Sequence, residues 1–292
     1  MSTGYDPFFL GEKHEVPLPL LIGKTAQDAL HNGKVYDFTH FSIVMNQRRK
    51  CAIYSAACVD ESRMVQIPRD NKSWHFDPRI GEENQAGHEY YAQNDFDKGH
   101  LTRRKDVCWG DRREAEKANY DSFCYANIAL QYHHFNTGIW NCLEDWVLDG
   151  LENEKKMLVF TGPICKEEDE EYCGVHGEPG CQIKIPFGFW KCVFFTVRQK
   201  LTSLSFVIRQ RPDRLHDSCE YERLETYQVP LAVITKETEL LFMHSLYEAN
   251  PLYFWKRLSP AAGPINIPEQ HRIQQPSDIV FGRLFNLLAG IG

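Results

Sequence analysis

Four consecutive residues, Asp97-Lys98-Gly99-His100, place a carboxylate, an ammonium and an imidazole in one short stretch. An imidazole with an ordinary pKa of about 6.5 accepts a proton close to neutral pH. His100 is therefore the candidate general base, and Asp97 is a candidate to orient its ring or brace the loop. Asn127, Asn136 and Glu144 follow downstream. Asn136 offers a neutral carbonyl oxygen and Glu144 a carboxylate, and oxygen donors suit a hard cation such as Mg²⁺, which retains several waters. The eight-residue step from Asn136 to Glu144 is two helical turns plus about 80°, so both side chains can address one broad helix face. Lys98 adds positive charge for a bound anion. Gly99 leaves the backbone beside His100 open to close approach by a substrate. Deprotonating a water, neutralising charge on a phosphate and stabilising a leaving oxygen are the requirements of phosphodiester hydrolysis, and this set of groups matches them. Taken singly, each residue has a plainer reading: a structural histidine, a capping asparagine, a solvated glutamate. The joint spacing is what points to chemistry.

These residues need elements to position them. His40 to Met45 and Ala52 to Ala56 read as two strands joined by a turn at Asn46 to Arg49. Residues 60–95 are polar and loop-rich. Phe123 to Leu130 reads as a short buried strand, and a helix opens at Asn136 as its N-cap, with Ile139, Leu143, Trp146 and Val147 at three- and four-residue intervals. Leu158 to Gly162, Phe189 to Val197 and Leu204 to Arg209 read as core strands, and Glu237 to Leu246 as a helix. Strands on both sides of the helix, with neither a G-x-G-x-x-G nor a Walker A motif, argue against a βαβ nucleotide fold. The expected class is α+β: a central, mostly antiparallel sheet flanked by helices. One domain is expected over residues 36–258, after an N-terminal extension at 1–35 and before a Pro/Gln-containing tail at 259–292.

A net charge of −7 argues against a uniformly basic surface for nucleic acid. The distribution is uneven, however. Residues 98–117 carry Lys98, Arg103, Arg104, Lys105, Arg112, Arg113 and Lys117 against Asp106, Asp111, Glu114 and Glu116. The acidic run at Glu167, Glu168, Asp169, Glu170 and Glu171 reads as a solvated loop. Residues 1–20 have no basic segment followed by an apolar one, so the ten cysteines read as reduced thiols in a cytoplasmic protein. Cys165, Cys173 and Cys181 with His176 form a candidate zinc set. Their spacing is loose, and a flexible loop with free thiols is the plainer reading. No stretch approaches the ~20 apolar residues of a membrane span. Tyr90, Tyr91, Trp109 and Tyr132 are candidates to stack on bases or, equally, core aromatics. His133 and His134 are surface candidates for phosphate contact.

Asp97-Lys98-Gly99-His100 resembles the Asp-Arg-Gly-His signature of the DNA/RNA non-specific endonucleases, the ββα-metal (His-Me finger) group that includes the endonuclease G-like enzymes. The likeness continues through His100 to Arg104, Trp109-Gly110, Ala118 to Phe123, Asn127, Gln131, Phe135-Asn136, Trp140, Leu143-Glu144, Thr161 to Pro163, Ile185-Pro186 and Phe189 to Lys191. It spans about residues 36–245. The resemblance implies that His100 is the general base and Asn136 the direct ligand of Mg²⁺, with Mn²⁺ the alternative ion. It implies that Glu144 holds the metal through water and that Asn127 supports the site. It further implies cleavage of DNA and RNA with little sequence preference, 5′-phosphate ends and a homodimer. Lys98 departs from the family's arginine, which grips phosphate in a bidentate way that lysine does not. An upstream family arginine falls at Arg69 or Lys72, and these two, with Arg103 and Arg104, are the candidate substrate-binding cations. Two other readings stay open: a catalytically inactive nuclease-fold module for nucleic-acid binding or interaction, and a phosphodiesterase acting on a small ester. A nuclease free in a cell calls for restraint, so an inhibitor or activator partner is expected.

Overall fold

The computed structural model describes residues 4–69, 74–149, 155–210, 226–252 and 271–272. In chain order the elements are β1 (Leu20–Leu21), α1 (Gly23–Gln27), β2 (Val35–Phe38), β3 (Phe41–Asn46), β4 (Cys51–Asp60), β5 (Phe96–His100), α2 (Arg104–Val107), α3 (Arg112–Ser122) and β6 (Ile128–Tyr132). They continue with α4 (His133–Phe135), α5 (Asn141–Asp149), β7 (Lys156–Ile164), β8 (Glu171–Val175), β9 (Glu178–Lys184), β10 (Gly188–Val197), β11 (Lys200–Arg209), β12 (Thr226–Gln228), α6 (Leu231–Thr238), β13 (Leu240–Leu241), α7 (His244–Glu248) and β14 (His271–Arg272). Eight strands form one sheet in the order β14-β12-β11-β10-β7-β4-β3-β2. Its pairings are antiparallel, which agrees with the α+β expectation. The pairs β1-β13, β5-β6 and β8-β9 stand apart from it.

The sheet is covered on both faces, so its central strands are apolar in both directions rather than alternating with polar residues. On β10, Phe189, Val193 and Phe195 pack with Leu101, Ala129, Phe135, Ile139, Trp140 and Leu143 of the hairpin and helical run. The intervening Trp190, Cys192 and Phe194 pack the other way, against Val16, Leu231, Ile234, Leu240, Phe242 and Leu246. The N-terminal residues belong to this second layer: the Tyr5 ring lies 5.2 Å from Phe160, and the Tyr5 hydroxyl donates to Val16 O. A third cluster, with Tyr90, Tyr91, Phe96, Tyr125, Ile128, Leu130 and Ile183, supports the outer side of the β5-β6 hairpin.

Several local expectations give way to tertiary contacts. The strand expected from Phe123 starts only at Ile128, because Tyr125–Asn127 form a 3₁₀ turn. The helix expected over Glu237 to Leu246 is broken: α6 ends at Thr238, Glu239 adopts φ 57°, and Leu240–Leu241 are captured by β1 before α7 begins. Asn136 is not an N-cap. The helical run begins after Tyr132, Asn136 already has helical angles, and the run is interrupted at Gly138 (ψ −111°) before α5. A single continuous helix from Asn136 to Glu144 is thus replaced by two segments joined through a π-type turn, a distortion frequent at functional sites. The zinc reading is also corrected: Cys173 and Cys181 are joined as a disulfide across β8-β9, so these two sulfurs are neither metal-ligating thiolates nor the reduced thiols expected. The acidic run is not wholly solvated either, since Asp169 is buried and accepts from Arg49 Nη1 at 3.1 Å and Lys166 N at 2.7 Å. Residues 259–292 lie outside the described residues, apart from β14. No described helix is long and apolar enough to cross a membrane.

Gly99 is required by packing. A Cβ at this position would fall inside the side chain of Gln131, which is itself fully buried. Gly99→Ala should therefore destabilise the protein by about 1–3 kcal/mol, the usual cost of overpacking. Urea unfolding checks this, and an unchanged midpoint would show that Gln131 moves aside freely.

Candidate active site

β5 carries most of the chemistry, and strand alternation divides it, because successive side chains point to opposite faces. Asp97 faces the helical run, whereas Lys98 and His100 face the loop that precedes the strand. Asn136 Nδ2 donates to Asp97 Oδ2 at 2.8 Å, and His133 Nδ1 lies 3.0 Å from the same oxygen. Asp97 therefore orients Asn136 and, among the described residues, makes no hydrogen bond to the His100 ring, one of the two roles expected of it. With the amide nitrogen engaged, Asn136 presents Oδ1 on the opposite side as an acceptor. Asn127 is 0% exposed. Its Oδ1 accepts from Thr102 N at 2.9 Å, and its Nδ2 donates to Thr102 O and Ser122 O. Both ends of this amide are used on backbone, so Asn127 clips the base of the hairpin.

Glu144 is 9% exposed. Its Oε2 lies 3.7 Å from Arg103 Nε and its Oε1 3.3 Å from Lys191 Nζ. The second contact lacks hydrogen-bond geometry, and Oε1 accepts no hydrogen bond. Arg103 also donates to Asp145 Oδ1, so it is turned toward the carboxylates of α5. Asp106 lies buried close by, and burial pushes its carboxyl up to about 7, with Arg103 opposing and Glu144 adding to the rise.

His100 is half-buried as a residue, yet its Nε2 is shielded from solvent and has no hydrogen-bond partner among the described residues. The ring lies 5.3 Å from Trp74 and 5.7 Å from Phe123. Burial pushes the imidazole down to about 3, and the charges of Arg69 and Arg104 add to the shift. Lys98 Nζ sits 4.9 Å above the Trp74 ring, 5.8 Å from the Tyr125 ring and 3.4 Å from His88 Nδ1. Burial lowers its pKa. Arg104 Nη1 donates to Ile67 O and Asn119 Oδ1. Arg69 is exposed, and Lys72 lies outside the described residues. A cavity of about 450 Å³ opens beside the arginines, lined by Met64, Ile67, Arg103, Arg104, Lys105 and Asp145 among others.

The structure thus joins Asn136 to Asp97 and Glu144 to Arg103, and it sets His100 under the influence of Arg69 and Arg104. Among the described residues no hydrogen bond joins His100 to Asn136 or Glu144. Three of the four candidate stacking aromatics are core: Tyr90, Tyr91 and Trp109 are buried, and Trp109 donates to Cys58 O and stacks on His40. The local reading missed Trp74 and His88 around Lys98, and the ion pair of Lys191 with Glu144. The signal for the last was a lone charge inside the apolar run Phe189 to Val197.

The donors suit a hard divalent cation. Asn136 supplies an amide oxygen held by its own nitrogen, and Glu144 supplies a shielded carboxylate oxygen free of hydrogen bonds. Among the described residues no three His, Cys, Asp or Glu side chains gather as a metal cage. Few protein oxygens with waters completing the shell is the arrangement Mg²⁺ favours.

A model of the DNA/RNA non-specific endonuclease family matches residues 25–249. The chain belongs to this family. It is 34% identical over 268 residues to the uncharacterized protein y4fB of Sinorhizobium fredii, covering 81% of this chain and 38% of that protein. It is 25% identical over 183 residues to mitochondrial endonuclease G of Bos taurus, covering 61% of this chain and 58% of that one. The chain thus spans between about a third and three fifths of these relatives' lengths. A solved complex of EndoG with EndoGI shares the fold, with a TM-score of 0.56 at 18% identity over 71% of this chain and 84% of that one.

The His100 shift has a stability consequence. The folded imidazole resists protonation down to about 3, whereas the unfolded one takes a proton near the ordinary 6.5. The unfolded state binds more protons between these values, so this contribution is intact above pH 6.5 and lost as the pH falls toward 3. His100→Asn cannot titrate there. Urea unfolding from pH 8 to pH 4 should show wild type losing stability more steeply than His100→Asn below about pH 6.5. Parallel curves would disprove the buried neutral imidazole.

Proposed function

We propose that this protein is a divalent-metal-dependent endonuclease. It hydrolyses phosphodiester bonds of DNA and RNA with little sequence preference and leaves 5′-phosphate ends. The observation that carries this reading is the unpartnered Nε2 of His100, held neutral by burial and flanked by Arg69 and Arg104. A neutral acceptor among cations can take a proton from water while the cations attract the phosphate that this water attacks. Phosphate bound at Arg69 and Arg104 would also offset the charges that depress the imidazole, making it a stronger base when substrate is present.

Asn136 and Glu144 would hold Mg²⁺, with Mn²⁺ the alternative, and Asp97 would keep the Asn136 amide in the required orientation. When bound, the cation would neutralise charge on the phosphate and on the departing 3′ oxygen. Lys98, in its aromatic setting, adds a point charge rather than a bidentate grip. Cations of this kind contact the sugar-phosphate backbone and read no bases, which accounts for low sequence preference.

Cleavage of supercoiled plasmid and of a structured RNA tests this reading. Wild type should cut both with Mg²⁺ and neither with EDTA. His100→Ala should lower the rate by about 10²–10⁴-fold, the usual contribution of a general base. Asn136→Ala should raise the Mg²⁺ concentration needed for half-maximal rate. A wild type inert on both polymers with Mg²⁺ and with Mn²⁺ would sink the proposal and leave a nucleic-acid-binding module with a nuclease fold.

A further inference from the structure

Lys191 lies at the centre of β10, hydrogen-bonded on both sides by β7 and β11, and is only 2% exposed. A buried ammonium without compensation is strongly unfavourable. Three groups surround its nitrogen. Thr161 Oγ1, on the cross-strand neighbour, accepts at 2.8 Å. The face of Trp140 lies 5.0 Å away. Glu144 Oε1 lies 3.3 Å away. Of these only Glu144 carries negative charge. Trp140 and Glu144 are four residues apart, a spacing that puts both on one side of a helix, so the helical run meets the lysine with a ring and a carboxylate together.

We propose that Lys191 is a positioning residue of the active site: from the sheet side it holds the Glu144 carboxylate that Arg103 holds from the hairpin side. The contact itself is structural, and its catalytic consequence rests on the nuclease reading. Two cations from different layers span one carboxylate, so Glu144 cannot swing without leaving a buried charge unpaired. Arg103 divides its charge between Glu144 and Asp145; Lys191 also favours the buried Asp106 carboxylate, but among the described residues its ion pair is with Glu144. An apolar side chain would serve a sheet interior at least as well as a charge. Placing the lysine directly behind Glu144, with Thr161 consuming one of its donors, leaves Oε1 charge-balanced yet free of a hydrogen bond.

The test is a double-mutant cycle with Lys191→Met and Glu144→Gln, read in three ways. In urea unfolding, Lys191→Met should lower the midpoint clearly, and much less when Glu144→Gln is already present. Additive shifts would overturn the proposed pairing whatever the protein's activity. In calorimetric titration with Mg²⁺, using protein that also carries His100→Ala, Lys191→Met should weaken binding by about 10–100-fold, as loss of a group supporting a metal ligand does. Unchanged binding would limit Lys191 to stability and refute positioning. In plasmid cleavage, Lys191→Met should lower kcat with KM for DNA nearly constant, and should cost nothing further in the Glu144→Gln background. An equal loss in both backgrounds would mean that Lys191 does not act through Glu144. Lys191→Arg keeps the charge with a different reach and should retain most Mg²⁺ affinity, and a loss as large as that of Lys191→Met would count against a charge-based role; Lys191→Gln, polar but uncharged, carries the same comparisons if Lys191→Met does not fold.

Discussion

The site depends on one buried amide. Asn127 joins three stretches of chain: the segment just after His100, through both backbone groups of Thr102; the end of α3, through Ser122 O; and the 3₁₀ turn that leads into β6, to which it belongs. β5 and β6 are far apart in sequence, so their pairing gains nothing from a tight turn and must be closed by tertiary contacts. A fully buried polar group left unpaired costs roughly 1–3 kcal/mol, which makes these three bonds an all-or-none condition. Thr102, once clipped, hydrogen-bonds Ser55 on the central sheet. The backbone carrying His100 is thereby attached to the most rigid part of the molecule.

On this base the site separates its charges by strand alternation. β5 turns Asp97 toward Asn136 and turns His100 and Lys98 toward Trp74. The carboxylate therefore pairs with the amide and not with the imidazole, whose pKa burial and the two arginines lower. Below, Glu144 lies between Arg103 and Lys191 at the junction of helix and sheet. Part of the cation-rich stretch from Lys98 to Lys117 is paired within the protein: Arg112 pairs with Glu116, Lys117 with Asp121, and Arg103 with Glu144 and Asp145. Positive charge near His100 then comes from Lys98, Arg69 and Arg104 rather than from a broad basic stripe. This is how a chain of net charge −7 can present a locally cationic site.

The surrounding core explains why the arrangement holds. On the central sheet, the buried polar side chains Ser55, Thr161 and Lys191 line up across β4, β7 and β10. This polar row lies on the face that receives the hairpin and helical run. Each member meets a partner from the active-site layer or from the next strand. Packing sets the distance between the layers, and the polar row adds specific points of attachment between them.

The sequence by itself determined the chemical inventory and the fold class. Asp97, Lys98, His100, Asn136 and Glu144 are recognisable because residue type and spacing are local properties. The antiparallel α+β class follows from strand and helix periodicities, which are local too. The tertiary structure alone decided how these groups are used. It gave Asp97 to Asn136, turned Arg103 inward, placed Trp109 and Tyr90 in the core, joined Cys173 to Cys181, broke the helix expected at Glu237 to Leu246 and set Lys191 behind Glu144. The reason is the same in each case. A buried polar or charged group takes its partner from whatever the fold brings near, most often a residue distant in sequence, and periodicity carries no information about that partner.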